Sequence, residues 1–529
     1  MIASEPTANK TEVAATRSNF LLPLEAYVPL LIWALVIITF LLSAGKITGY
    51  GFLPMDDALR HAAKAVSGKP WSEILVMRSD FGIDPHPGWH AVLGAIHHAT
   101  NCGTESLVLI SIIGLMLLLS AVVLPRLRWP ETWLASLLVV AIFVPRFINR
   151  LLLGRPYLFT IAVFLALIFI WFGLQNRRPR WAGIIASIIL IALAAWIHGS
   201  WYQLGLPIAA LVLAAQWRSA AWYGASWLAG SVLGCGFTGH PVGFLEQSVH
   251  HLFGVFGDYH LDRQLVAELL PSGGDPQMVL FLIGILLWRF LPGTKFSSQS
   301  DATESISATP SLATGLRQSL YSPLFLMAIV GWLLGLRVFR FWDDWGLPAL
   351  MVWLAFELQS QLQNRIAFDS PRRLLVTLGL AMGLFLSTTS DLSNRWTSNL
   401  TNEFLVQGTP ELTGWFPDDH GIFYSADMRF FNETFFKNPT APWRYVLGFE
   451  SALMQPEDLD VVRKVQWNYG DVQAYEPWLK KMKPEDRLAL RASWLPNGGP
   501  PNLPELEWRY AVKDIWIGRL TNNPAPAKK

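Results

Sequence analysis

Apolar runs long enough to cross a bilayer alternate with short charged turns along most of this chain. The first runs from Tyr27 to Ala44. Others follow at 105–125, 133–149, 157–174, 182–198, 201–217, 221–237, 277–292, 321–336, 346–358 and 374–390. In lipid such runs satisfy their backbone only as helices, so the pattern predicts about 11 membrane spans. The weakest are 133–149, 277–292 and 346–358, which are short or edged with charge. The first run is longer than the apolar core of a signal peptide and no clear cleavage site follows it, so it reads as a retained span. Residues 1–27 form a tail before it, polar over 1–19.

The pattern changes twice more. Residues 294–319 are rich in Ser and Thr and read as a flexible linker inside a transmembrane region spanning 28–390. After Ser390 charged residues and prolines rise, with Trp and Tyr among them. Residues 391–529 therefore read as a small soluble α/β domain, with a helix at Leu459 to Val465 and a strand at Tyr510 to Ile517.

Composition agrees with a polytopic α-helical membrane protein: 52% of the 529 residues are hydrophobic and only 15% charged, against about 25% charged in soluble domains. The formal net charge of +2 gives no bulk attraction to nucleic acid. Two cysteines, Cys102 and Cys235, exclude a disulfide framework. The placement of charge is more informative than its sum. Arg126, Arg128, Arg177, Arg178, Arg180, Arg218, Arg289, Lys295, Arg365, Arg372 and Arg373 fall on one side if every span is real. Positive residues are retained in the cytoplasm, so that side is inside, with the N-terminus. The linker then lies inside and residues 391–529 outside.

Polar residues collect on the opposite face. The loop 46–104 carries Asp56, Asp57, Arg60, His61, Arg78, Asp80, Asp84, His86 and His90. It also holds two weakly amphipathic segments, one with Ala58, Ala62, Ala65 and Val66 on a face, the other with Trp89, Val92, Leu93 and Ile96. Such helices lie along the membrane surface. Later outer turns bring Arg146, Arg150 and Arg155, then His198, then His240, His250, His251, Asp258, His260, Asp262 and Arg263. The last is the stretch Arg337-Val-Phe-Arg-Phe-Trp-Asp-Asp-Trp345.

Acidic Asp56-Asp57 suits a helix N-terminus, where carboxylates complement the dipole. It equally suits a base at the mouth of a membrane enzyme. Arginines outside at membrane depth call for partners: Arg337 and Arg340 can pair with Asp343 and Asp344, or with the first loop, or can grip a phosphate bidentately. The histidines show no spacing that fixes a metal site. Trp201, Tyr202 and Trp342 belong to an interfacial aromatic belt or stack on sugars.

Taken together, the acidic pair in the first outer loop, the span pattern, Gly154-Arg155-Pro156-Tyr157-Leu158-Phe159-Thr160 and Trp196-Ile197-His198-Gly199-Ser200 resemble the GT-C superfamily of polytopic glycosyltransferases. The resemblance covers about residues 28–390. It implies transfer of a sugar from a polyprenyl-phosphate carrier to an envelope glycan, lipid or protein acceptor, at a bacterial inner membrane. It implies an acidic base in the first outer loop, where Asp56 and Asp57 lie; by their own chemistry Arg155, His198, Arg337, Arg340, Asp343 and Asp344 are the candidates around the substrate. No motif fixes a cofactor, and a divalent metal stays open. The alternatives are a transporter or flippase of an anionic lipid-linked sugar, a polysaccharide polymerase or ligase, and a noncatalytic subunit.

Overall fold

The structure, a computed structural model, describes residues 22–80, 82–174, 179–257, 269–288, 317, 319–363, 371–495, 497–512 and 514–521. The expected tail before Leu22, most of the 294–319 linker and the end from Asn522 lie outside them.

Every apolar run read from the sequence contains helix. In chain order these are α1 (Leu22–Gly49), α4 (Thr104–Val123), α5 (Glu131–Phe143), α6 (Pro145–Leu151), α7 (Tyr157–Trp171) and α8 (Trp181–His198). There follow α9 (Leu206–Leu213), α10 (Trp217–Gly236), α11 (Pro241–Gly257), α12 (Pro276–Trp288), α13 (Pro323–Gly335), α14 (Leu347–Gln363) and α15 (Pro371–Thr389). Among the described residues, four helices are long and apolar enough to cross a membrane: Tyr27–Gly49, Thr104–Arg126, Tyr157–Leu174 and Trp181–His198. The run 133–149 is not straight. It breaks between α5 and α6 with a bend of 114°. Pro145 opens α6 and forces Val144 out of helical geometry, to φ −136 and ψ 61. The bend turns Arg146 and Arg150 into the polar end of the bundle.

At the far end of α5, Glu131 is fully buried against Arg373 of α15, whose Nη2 donates to Glu131 Oε2 at 3.0 Å. The guanidinium also lies 4.1 Å from the centre of the Trp129 ring. Arg373, one of the arginines read as cytoplasmic, thus has an internal structural role.

The loop after α1 forms α2 (Asp57–Ser67), a single turn Trp71–Ile74 and α3 (Pro87–Thr100). The sequence suggests that α2 exposes one face. Instead Leu59, Arg60, His61 and Ala63 are buried along with Ala58, Ala62 and Ala65. The reason is the C-terminal domain, which covers the side of α2 facing away from the membrane helices.

That domain holds a five-stranded sheet of β1 (Ile422–Tyr424), β2 (Arg444–Tyr445), β3 (Arg487–Arg491), β4 (Leu506–Val512) and β5 (Ile515–Leu520), in the order β2-β1-β3-β5-β4. β2, β1 and β3 run parallel; β5 lies antiparallel to β3 and β4. Strand neighbours face opposite ways: Phe423 joins a core with Trp71, Ile74, Leu75, Phe430, Tyr445 and Phe449, while Tyr424 joins one with Val461, Val462, Trp478 and Leu488. The expected helix lies within Pro456–Trp467. The expected strand over Tyr510 to Ile517 is really the turn of the β4–β5 hairpin, where Asp514 has φ 70.

The first loop completes this sheet. Leu75 bridges Tyr445 in parallel, and the Val76 amide donates to the Tyr445 carbonyl at 2.9 Å. Lys69 Nζ reaches the Ala441 carbonyl at 2.7 Å. The loop therefore caps the free edge of β2 and fixes the domain over α2.

Candidate active site

The polar end of the bundle is built in two clusters. The first sits at the start of α2. Asp56 is the N-cap and accepts from the Asp57 amide at 2.6 Å. The capping role suggested by the acidic pair is thus real for Asp56. Asp57, one residue inside, accepts from Arg60 Nε at 3.0 Å. Arg155 pairs with Asp56 and holds Nε 3.6 Å from Asp57 Oδ2. Arg155 gets there because Gly154 has φ +64, and because a Cβ there would stand only 3.1 Å from Ile112 and 3.4 Å from Ala58. Gly-Arg-Pro is the turn that presses this arginine onto α2.

Arg60 was not singled out from the sequence. Its guanidinium lies 4.2 Å from the centre of the Phe449 ring, from the C-terminal domain. Its Nη1 is buried and has no hydrogen-bond partner among the described residues. A buried charged donor without an acceptor is costly.

The second cluster gathers on a widened turn, Trp342–Gly346, between α13 and α14. Arg150 Nε and Nη2 grip Asp344 at 2.6 and 2.9 Å, and Arg340 Nε adds a bond at 3.1 Å. Asp343 points elsewhere, accepting from Arg146 Nη2 at 3.1 Å. Arg146 forks onto Asp275 at 2.7 and 2.6 Å, and Trp342 Nε1 donates to Asp275 Oδ2 at 2.7 Å. The two aspartates are thus not interchangeable. Successive positions on a helical turn point about 100° apart, and each meets one of the i, i+4 arginines of α6. Arg337 lies in the exposed turn before a separate short helix, Phe339–Phe341, so it and Arg340 do not share one helix face.

His198 ties the second cluster to the helices. Its Nε2 stands 3.5 Å from Arg340 Nη2, and its Nδ1 is 3.2 Å from Thr160 Oγ1. A guanidinium only donates, so Nε2 is the acceptor and Nδ1 carries the proton. Gly199 follows with φ +73, where a Cβ would meet the Pro85 carbonyl at 2.8 Å. His-Gly is therefore the device that lets the first loop close on α8, bringing the His198 and His86 rings to 5.6 Å.

The aromatic candidates divide. Trp342 is tied to Asp275, and Trp201 stacks on Trp227 at 6.0 Å. Among the described residues no group of three or more His, Cys, Asp or Glu is arranged to hold a metal ion. The side chains of His250 and His251, and all of Asp258, His260, Asp262 and Arg263, lie outside the described residues.

Three histidines pack in the first loop. His61 Nδ1 is 2.8 Å from His90 Nε2, and His90 Nδ1 is 2.6 Å from Asp84 Oδ2. Burial lowers the pKa of His61, His86 and His90; Arg60 adds to it for each, and Asp84 partly opposes it at His90. At Asp84 burial pushes the other way, but the charge and hydrogen bond of His90 and the His86 amide outweigh it and hold the carboxyl below its usual range. An unfolded chain takes up protons on these imidazoles near pH 6.5, whereas the folded one does so only at lower pH. Their contribution to stability is therefore full above about pH 6.5 and falls below it, by at most about 1.4 kcal/mol per pH unit for each histidine. The unfolding midpoint of the purified protein should be level from pH 7.5 to 6.5 and drop from 6.5 to 5.5. A level trace to pH 5.5 would show the three rings to be protonated in the fold.

With this geometry in hand, the comparison with solved structures is direct. The chain matches the crystal structure of ArnT from Cupriavidus metallidurans bound to undecaprenyl phosphate, with TM-score 0.51 and 15% identity, over 94% of this chain and 98% of that one. In fold, this chain is similar to ArnT. No family model and no curated protein sequence matches it. The similarity to ArnT bears out the fold expected from the sequence, a mostly helical chain with several apolar helices and a small C-terminal domain, now seen to be built on a sheet. It extends beyond the membrane helices, since 94% coverage requires part of the sheet domain to align with ArnT as well.

Proposed function

We propose that this chain is a membrane glycosyltransferase that takes a sugar from a polyprenyl-phosphate carrier. Two things support the reading: the fold shared with ArnT, whose crystal structure holds undecaprenyl phosphate, and the arginines gathered at one end of the bundle. The observation that carries it is Arg60, which binds Asp57 beside Arg155 and whose buried Nη1 has no acceptor among the described residues. A phosphate oxygen supplies that acceptor with matching charge.

In this reading the site end faces outward across a bacterial inner membrane, with residues 28–390 as the transmembrane region and 391–529 as the outer domain. Arg155 exchanges Asp56 for the donor phosphate, and Arg340 approaches from the second cluster. Asp57 then loses one neighbouring cation, which favours its taking up a proton. The acceptor hydroxyl gives its proton to Asp57 as its oxygen bonds to the anomeric carbon. The bond from that carbon to the phosphate oxygen breaks, and the electron pair leaves with the lipid phosphate. Cationic donors stabilise the charge growing there. The acceptor is a glycan, lipid or protein of the envelope.

The test is release of undecaprenyl phosphate from a panel of undecaprenyl-phosphate-linked pentoses and hexoses by purified protein in detergent. Turnover of at least one donor is expected. Detergent removes the two compartments a transporter needs. Movement of an intact lipid-linked sugar in proteoliposomes, with no release in detergent, would overturn the reading in favour of a flippase.

A further inference from the structure

Two distant parts of the chain meet at Arg60. Its Nε is spent on Asp57 at 3.0 Å, while its buried Nη1 has no hydrogen-bond partner among the described residues. Its Cζ lies over the ring of Phe449, 4.2 Å from the centre. Phe449 follows β2 in the C-terminal domain and is only 4% exposed. Its ring packs on Trp71 of the first loop, with centroids 4.7 Å apart. Just before it, a Cβ on Gly448 would stand 2.6 Å from the Leu75 side chain, so the loop presses directly on the backbone that carries the ring. Leu75 in turn bridges Tyr445. Phe449 is therefore held from both the loop and the sheet.

We propose that Phe449 is a positioning residue for the carrier phosphate: through it the C-terminal domain holds Arg60 in place with a donor left to bind. The inference rests on the transferase reading. It adds that the phosphate site is assembled by α2 and the C-terminal domain together.

The chemistry of the contact decides what it leaves available. A free arginine side chain must be ordered when it binds, which costs affinity. A second carboxylate could order Arg60, but it would fill Nη1 and cancel the charge. An aliphatic neighbour would dry the side chain without attracting the cation. An aromatic face attracts the cation, more strongly where water is excluded, and offers no oxygen or nitrogen to accept a hydrogen bond. It fixes the guanidinium and leaves Nη1 unspent for an incoming anion.

Two other buried arginines show the contrast. Arg150 lies 4.6 Å from the centre of the Tyr157 ring, and Arg373 lies 4.1 Å from that of Trp129. Each also forks onto a single carboxylate, Asp344 for Arg150 and Glu131 for Arg373. Ring and fork together make a structural arginine. Arg60 is as enclosed as these, with its side chain 4% exposed, but has the ring and only one bond to its carboxylate.

Phe449→Leu keeps an apolar side chain and removes the aromatic face. The Kd of the purified protein for undecaprenyl phosphate should rise roughly 3- to 10-fold, because Arg60 must then be ordered on binding. Lost packing alone could also weaken binding, so the deciding measurement repeats the substitution on Arg60→Met. That variant lacks the guanidinium and should itself raise the Kd roughly 10- to 100-fold. In its background Phe449→Leu should change the Kd by less than about twofold, the mark of an effect that acts through Arg60. Phe449→Met serves in both backgrounds if Phe449→Leu does not fold. The same loss in both backgrounds overturns the proposal and leaves Phe449 as packing; so does no loss in either. A wild-type Kd in Arg60→Met removes Arg60 from the phosphate site and ends the proposal, whereas continued release of undecaprenyl phosphate from a donor would leave the transferase standing. A wild-type protein that neither binds undecaprenyl phosphate nor releases it from any donor overturns the transferase reading, and this role of Phe449 with it.

Discussion

Asp57→Asn should reduce turnover by about 10² to 10⁴, the usual cost of losing a general base, while Asp56→Asn should be much milder. The sequence alone could not separate these neighbours, and the structure does. Asp56 spends its carboxylate on the Asp57 amide and on Arg155. Asn serves as an N-cap about as well as Asp, so the substitution at Asp56 keeps the start of α2 and loses one charge against Arg155. Asp57 is one residue into the helix, where its side chain lies between Arg60 and Arg155. Asn there keeps a hydrogen bond from Arg60 but cannot take up a proton. The measurement is kcat for release of undecaprenyl phosphate by each purified variant, with the unfolding midpoint and lipid affinity alongside. Near wild-type kcat in Asp57→Asn would leave both carboxylates as capping and pairing groups.

The helices were legible because lipid allows few alternatives: a long apolar run must close its own hydrogen bonds. The Gly154-Arg155 and His198-Gly199 pairs were also visible, and the structure explains each glycine by a left-handed turn against a close neighbour. What the sequence hid depends on contacts between distant segments. Arg146 and Arg150 signal themselves only as an i, i+4 pair against the positive-inside trend, and their partners Asp275, Asp343 and Asp344 lie more than a hundred residues away. The burial of α2 was hidden for the same reason. Its alanines predict one apolar face, but Phe449 and the sheet core take the face that carries Arg60 and Ala63. The histidine string was hidden because three imidazoles and a carboxylate in a polar loop read as solvated until α3 is folded against α2.

The last expected result separates arginines that grip substrate from arginines that hold the protein together. Lysine keeps the charge of arginine but loses its planar fork. Arg150 and Asp344 are almost fully enclosed, with side chains 6% and 3% exposed, whereas Arg155 and Arg340 are 17% and 26% exposed. Disturbing the enclosed pair leaves an ill-matched buried charge, and breaking such a pair outright costs about 3–5 kcal/mol. Arg150→Lys should therefore lower the unfolding midpoint first. Arg155→Lys and Arg340→Lys sit where solvent or substrate can reach, so their folds should hold. Each should instead lose one charge-assisted bond to phosphate, about 1.5–3 kcal/mol, or roughly 10- to 100-fold in the Kd for undecaprenyl phosphate. Arg340→Lys carries a second signature: His198 Nε2 loses the fixed donor that sets its tautomer, so kcat should fall beyond the change in affinity. If Arg155→Lys and Arg340→Lys both bind undecaprenyl phosphate like the wild-type protein, the phosphate does not lie between these clusters, and the two arginines pair only with their own carboxylates.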